Sequence, residues 1–416
     1  MGELKTLIFL GCTKSGSSKD AIEAAKQLGF YNILFTNRKS FLERRGAFPH
    51  VDKMILVNLD NRDAILAKLD KLQSNGADIR AIVSFMDSYV SLAANLGEQL
   101  GLPTQSGEAI DLVQNKIAFR ESLQDTQYSV PFQIIHDDSE DTALDLNLPV
   151  VVKSPRSTGS KDVLLATSHG DFRKHVEYLQ TKYPDHEILV EEYIIGQQYL
   201  AEVLVHDGIP HVVAIVEQSI TLDERFIVTG YCVLPTLPSG LMDQVQEMVN
   251  TVRELIGMQV GAFHVEFKVS QRGCKIIEVN PRISGAAMNR MISYAFGINL
   301  VKETIRSLFG EKPDLMRQKE NFVYTQYVTA KQCGVLTKAT GKVQAMRVPF
   351  VQEVFIIQRK NAILSTPFSM GHRYAYVIAA ADSAREAKTA AMQAAARIHF
   401  HIRLAKYDGS RKMGKR

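Results

Sequence analysis

The chain has no tryptophan and only four cysteines among its 416 residues. Cys12, Cys232, Cys274 and Cys333 lie far apart with no C-x-x-C spacing, which argues against both a zinc site and a disulfide framework. No apolar run approaches the ~18 residues of a membrane-spanning helix. The N-terminus lacks the layout of a secretory leader, so a cytoplasmic protein with no membrane partner is expected. Excess charge is missing too: 49 basic and 45 acidic residues leave a net charge of +4, much of it in the tail GSRKMGKR at 409–416. That tail reads as a solvated terminus, and no field of one sign calls for nucleic acid. Two nucleotide motifs are absent as well. Gly11 and Gly16 have P-loop spacing, but Ser17 and Ser18 follow where Lys and Ser or Thr are required. No G-x-G-x-x-G marks a dinucleotide site either, so residues 11–16 read as a plain βα turn.

With 45% hydrophobic and 23% charged residues, a chain of this length holds two or three globular domains. Residues 1–113 alternate strand patterns (4–10, 31–36, 54–58, 81–84) with helical ones (20–28, 61–73, 90–100), the layout of a parallel, Rossmann-like sheet. The stretch GLPTQSG at 101–107 breaks that pattern. Further strands are expected at 148–153, 163–166, 187–193, 199–205 and 211–217, with helices at 111–124, 171–181 and 241–256. After Gly310 a polar linker leads into strands at 322–329, 351–358 and 373–379 and a helix at 383–398, a small α+β domain. His399 and His401 alternate on a final strand without a carboxylate or cysteine to join them, which favours a structural role over a metal site.

Residues 262–290 are the most informative. Phe263, Val265, Phe267 and Val269 alternate with His264, Glu266 and Lys268, the period of a half-buried strand. A turn follows, then residues 274–280 alternate again, with Ile277 and Val279 expected on one face and Glu278 and Asn280 on the other. A hairpin centred on Arg272 sets Glu266 opposite Glu278. Facing carboxylates about 5 Å apart repel, so the pair calls for a cation. The donors are hard oxygens, Glu266, Glu278 and the Asn280 amide, which favours magnesium. Arg282 follows at the same parity, and Ser284 and Gly285 open a helical pattern whose amides suit an anion. The bland alternative is an exposed hairpin whose glutamates face water. Upstream, Lys153 ends an apolar strand and needs an anionic partner, and the loop at 156–160 offers hydroxyls and flexible amides. Taken alone, that loop reads equally well as a surface hairpin.

These features in this order resemble the ATP-grasp superfamily: Lys116 in QNKIAFR, Lys153 before the small-residue loop, VEEYIIG at 190–196, Glu266, then EVNPRISG at 278–285. The GLPT connector, the RISG ending and SMGHRYAY at 369–376 are similar to bacterial L-amino-acid ligases, which join two amino acids into a dipeptide. The resemblance implies an α/β and α+β multidomain fold: a Rossmann-like domain over 1–113, an ATP-grasp domain over 114–310 with a flap subdomain at about 131–195, and a C-terminal domain over 311–416. It implies that Lys116 and Lys153 contact the ATP phosphates, with Ser157, Thr158, Gly159 and Ser160 closing over them. Glu191 and the backbone of Glu192, Tyr193 and Ile194 would hold adenine. Gln198 stands where many relatives carry a glutamate for the ribose. Glu266, Glu278 and Asn280 would bind two magnesium ions, or manganese in their place, and Arg282 would stabilise the acyl phosphate and the tetrahedral adduct. Glu217 is a further candidate for metal or amine, and Ser284, Gly285, Ala286 and Asn289 for the amine pocket, kept roomy by Ala286 and Ala287. The first amino acid would sit near residues 84–89. A homodimer acting on small molecules, without nucleic acid, is expected. Two alternatives stay open: the same fold with purine-pathway or biotin-carboxylase-like substrates, and nucleotide binding without turnover.

Overall fold

Strand β1 (Lys5–Leu10) is buried along five of its six residues, which demands cover on both faces. It pairs in parallel with β2 (Tyr31–Thr36) and β4 (Asp78–Val83), and β2 pairs with β3 (Lys53–Leu56), giving the order β3-β2-β1-β4. Helices Ser17–Gln27, Arg62–Ser74 and Val90–Gln99 supply the cover. The strand order reverses beside β1, so the loops leaving β1 and β4 flank a crevice at the carboxyl ends. This is the expected Rossmann-like domain. The computed structural model describes residues 4–136, 143–155, 159, 161–222, 226–357 and 359–404.

Four short strands follow: β5 (Phe132–Ile135), β6 (Val150–Lys153), β7 (Val163–Ala166) and β8 (Ile188–Glu192), in the order β5-β8-β6-β7. Helix His169–Lys182 packs on this sheet through Phe172, Val176 and Leu179, and its Ser168 N-cap accepts from Asp171 N. The longer strands are β9 (Gln197–His206), β10 (Ile209–Leu222), β11 (Phe226–Leu234), β12 (Gly261–Ser270) and β13 (Gly273–Asn280). Between β11 and β12, helix Leu241–Ile256 presents Val245, Met248, Val249 and Val252 as one apolar stripe against Val203, Phe263, Val265 and Phe267.

Contacts divide the chain into two compact units. The first (1–156, 164–218, 233–321) holds the parallel sheet, the β5–β8 sheet and the run β13-β12-β9-β10. The second (157–163, 219–232, 322–416) holds β11 with β14 (Phe322–Thr329), β15 (Gly334–Thr340), β16 (Val351–Ile356), β17 (Ile363–Leu364), β18 (Arg373–Ala381) and β19 (His399–Arg403). Its strands run β11-β14-β18-β16 and β17-β15-β19, with helix Ala384–Ala395 burying Ala387, Ala390, Ala391 and Ala394. His401 Nε2 meets Thr340 Oγ1 at 3.0 Å, a structural contact on a terminal strand. Neither β11 nor β15 is evident from sequence. Gly230 interrupts the apolar pattern of β11 because a Cβ there would lie 2.1 Å from the Tyr324 hydroxyl. Among the described residues no helix is long and apolar enough to cross a membrane.

Candidate active site

β12 lies between β9 and β13, so its residues are paired on both sides. One row reads Leu200–Glu266–Glu278 and the next Glu202–His264–Asn280. Directly opposed side chains share a face, so Glu266, Glu278, His264 and Asn280 point one way, while Phe263, Val265 and Phe267 enter the core. The facing of the two glutamates depends on a bulge. The turn pairs Ser270 with Gly273 and Phe267 with Ile276, and one extra residue, Ile277, brings Glu278 opposite Glu266. Cys274, Ile276 and Val279 therefore fill the core and Ile277 does not, which corrects the simple alternation expected over 274–280. The carbonyls of Ile276 and Ile277 accept from Arg120 Nη1 and Nη2 at 3.0 and 3.1 Å.

Arg120 also links this bulge to the upstream lysine. Its Nη2 lies 2.7 Å from Glu191 Oε1, and Lys153 Nζ lies 2.6 Å from Glu191 Oε2. Burial opposes charge on Glu191, but Arg120 and Lys153 outweigh it and hold the carboxyl below its usual range. Burial likewise pulls Lys153 down, and Glu191 only partly offsets this. Lys116 Nζ sits 3.2 Å from Glu278 Oε1. Burial pushes Glu278 up, yet Lys116 and Lys153 prevail and hold it low. Glu266 moves the other way, raised by burial and by the charge of Glu278. Gln198 Nε2 donates to Glu266 Oε2 at 3.1 Å and to Gln218 Oε1 at 3.0 Å. Gln218 thus stands beside the carboxylates. Glu217 pairs with Tyr199 on the core-facing parity and does not join them, a correction to its expected role. Among the described residues no group of three His, Cys, Asp or Glu gathers. The donor set is instead two carboxylates and the Asn280 amide, and their mutual repulsion is what a hard divalent cation would relieve, so these residues fit magnesium.

Arg282 leaves the end of β13 and grips Asp87, in the loop after β4, through both Nε and Nη2. Its carbonyl accepts from His264 Nδ1 at 2.8 Å. Burial and the Arg282 charge push His264 down to about 4, so the ring is neutral and Nδ1 carries the donated proton. Glu202 is 0% exposed; both its oxygens accept from Ser284 N, at 3.1 and 3.3 Å, and burial pushes its carboxyl up to about 7. Ser17 Oγ donates to Ser284 O at 2.7 Å. Gly16 packs so closely that a Cβ would lie 2.2 Å from Ala286 O. Ala286 itself adopts a φ of 54°. Ser284, Gly285 and Ala286 come directly after Arg282 and Ile283, whereas Ala287 is fully buried and Asn289 Oδ1 accepts from Val301 N at 3.1 Å, so these two are turned to the interior.

At the end of β8, Glu192 N and Tyr193 N donate to Pro131 O and Pro149 O at 3.0 and 2.9 Å. Lys268 Nζ donates to Ile194 O at 2.8 Å and lies 4.1 Å from the Tyr193 ring centroid. Ser157, Thr158 and Ser160 lie outside the described residues. Gly159 belongs to the second unit, where its carbonyl accepts from Met370 N at 3.3 Å. Arg120, Asp87, Glu202 and Gln218 carry no local sequence signal of their own. Their partners are distant in the chain or appear only once register is known.

Residues 22–104 match the ATP-grasp N-terminal domain family, 146–290 the ATP-grasp domain, and 326–403 the L-amino acid ligase C-terminal domain 2. Uncharacterized protein y4rH of Sinorhizobium fredii is 24% identical over 411 residues, covering 96% of this chain and 83% of that one. Carnosine synthase 1 of Gallus gallus is 23% identical over 330 residues, 74% of this chain but 35% of the larger protein. The crystal structure of L-amino acid ligase from Bacillus licheniformis superposes with a TM-score of 0.83 at 19% identity, covering 97% of this chain and 100% of that one. Phosphoribosylglycinamide synthetase from Anaerococcus prevotii gives 0.75 at 15% identity, covering 96% and 100%. At these identities the structural likeness establishes the fold.

Proposed function

We propose that this chain, which carries ATP-grasp domains and an L-amino acid ligase C-terminal domain, is an ATP-dependent carboxylate–amine ligase joining two amino acids. The observation that carries the reading is the opposed pair Glu266–Glu278, flanked by Lys116 and Lys153 and followed by Arg282. A carboxylate is a poor electrophile with a poor leaving group. Phosphorylation by ATP converts it into an acyl phosphate and releases ADP. The amine then attacks the carbonyl carbon, the bond to phosphate breaks, and the amine loses a proton as the peptide bond forms.

Lys116 and Lys153 would hold the phosphates and offset their charge as the substrate carboxylate approaches. Glu266, Glu278 and Asn280 would hold two magnesium ions. Magnesium held by these residues would supply positive charge to offset the charge that develops during phosphoryl transfer. Arg282 stabilises the acyl phosphate and the later oxyanion, with Asp87 and His264 keeping it aimed. Ser284, Gly285 and Ala286 would flank the incoming amine, and the loop at 84–89 the first amino acid. The match of 326–403 and the likeness to carnosine synthase favour amino-acid substrates. The fold shared with the Anaerococcus enzyme supports a second reading, a purine-pathway or carboxylase-like ligase. A cytoplasmic homodimer completes the proposal.

The test is phosphate release over a matrix of paired amino acids, with products identified by mass. Release that requires both an amino acid and an amine acceptor, with a dipeptide formed, supports the reading. Release driven by bicarbonate or a ribosylamine instead transfers the site to the second one. Nucleotide binding without turnover under any pairing would leave only a binding protein.

A further inference from the structure

Among the described residues, Lys268 is one of the few lysines drawn into the interior, at 7% exposed. Among the described residues no carboxylate lies within ion-pair distance of it; Nζ meets a neutral carbonyl, Ile194 O, and the face of Tyr193. A buried ammonium held only by neutral groups is costly, and a backbone carbonyl alone does not require a cation to satisfy it. The ammonium has three N–H donors, and Ile194 takes one.

Its position along β12 narrows what the others meet. Lys268 shares the face of Glu266, one alternation further from the end that carries Asn280 and Arg282, and pairs with Gln198. Lys116 and Lys153, the phosphate-binding lysines of the reading above, are paired with Glu278 and Glu191. Lys268 instead stands where the chain leaves β8, and there Gly196 approaches β12 so closely that a Cβ would lie 2.1 Å from Val269 O. The N–H groups of Glu192 and Tyr193 are already given to Pro131 and Pro149, so on the ATP reading the hinge donor left to a base is the N–H of Ile194.

We propose that Lys268 reads the nucleotide's purine: held by Ile194 O and Tyr193, its ammonium donates to a ring nitrogen of the base seated at residues 192–194. This rests on the ATP reading of the same site, and it makes Lys268 a base-binding residue distinct from the phosphate-binding lysines.

The experiment compares full-length wild type, Lys268→Met and Lys268→Arg by calorimetry with two probes, magnesium ADP and magnesium tripolyphosphate. Thermal melting of the unliganded proteins confirms that each variant is folded. Loss of a charged hydrogen bond to the base predicts about 10- to 100-fold weaker ADP binding by Lys268→Met, with tripolyphosphate affinity held within about twofold and partial rescue by Lys268→Arg. Unchanged ADP affinity, or equal losses for both probes, overturns base reading while the ATP site stands. Failure of wild type to bind ADP overturns the ATP reading and this inference with it.

Discussion

Arg282 is fixed at two points: Asp87 grips the guanidinium, and His264 donates to the main-chain carbonyl. A cation so oriented stabilises developing charge without reorganising, which is where such groups contribute most. Arg282→Met should therefore lower kcat by about 10²- to 10³-fold while calorimetric ADP affinity stays near wild type. Comparable losses in both would move Arg282 to the nucleotide. Glu202, behind it, gives a pH signature. Burial raises its carboxyl from the ordinary 4.5 to about 7, so the folded chain keeps a proton that the unfolded chain has released. A raised value stabilises fully below the unfolded pKa and is lost as pH rises through the folded one. Glu202→Gln stays neutral throughout, so its stability relative to wild type should rise between about pH 5 and pH 8 by up to roughly 3 kcal/mol. Denaturant unfolding at both pH values measures this, and a flat difference means Glu202 does not titrate in that range.

At the scale of elements, the β12–β13 hairpin depends on Arg120, which satisfies both carbonyls of the bulge and neutralises Glu191. Arg120→Met leaves a buried carboxylate short of one partner and should cost about 3–5 kcal/mol, part of it recovered by adding Glu191→Gln. Denaturant unfolding of the single and double variants would show no recovery if the bulge contacts alone mattered. The same hairpin shows what the sequence reveals of this fold. Alternation along 263–269 was readable because β12 is regular and apolar on one face only. Bulges leave no trace in such a pattern, so plain alternation puts Ile277 on the face of Val279, which it does not share. The turn falls between Ser270 and Gly273 rather than around Arg272 alone, and the extra residue compensates, so the facing of Glu266 and Glu278 was legible although the local register was not. In β10 the register shifts between Val212 and Ala214, which exchanges the faces of Glu217 and Gln218. Asp87 carries no sequence signal for another reason: its partner is 195 residues away.

For the molecule as a whole, residues 219–232 pack with 322–416 although about ninety residues of the first unit intervene. A chain ending at Asn321 keeps β11 but loses its neighbour β14, exposing an apolar edge. Such a truncation should aggregate on size exclusion rather than persist as a soluble ligase core; a monodisperse, folded product would contradict this. The order of ligand uptake follows from one ion pair. With Lys116 against Glu278, a free divalent cation must compete with an ammonium for that carboxylate. A polyphosphate removes the competition by offering the lysine a new anion. Metal and nucleotide affinities are then linked through one side chain, each raising the other by the same factor. Magnesium alone should occupy the site poorly, and the enzyme should take up metal and nucleotide as a single unit.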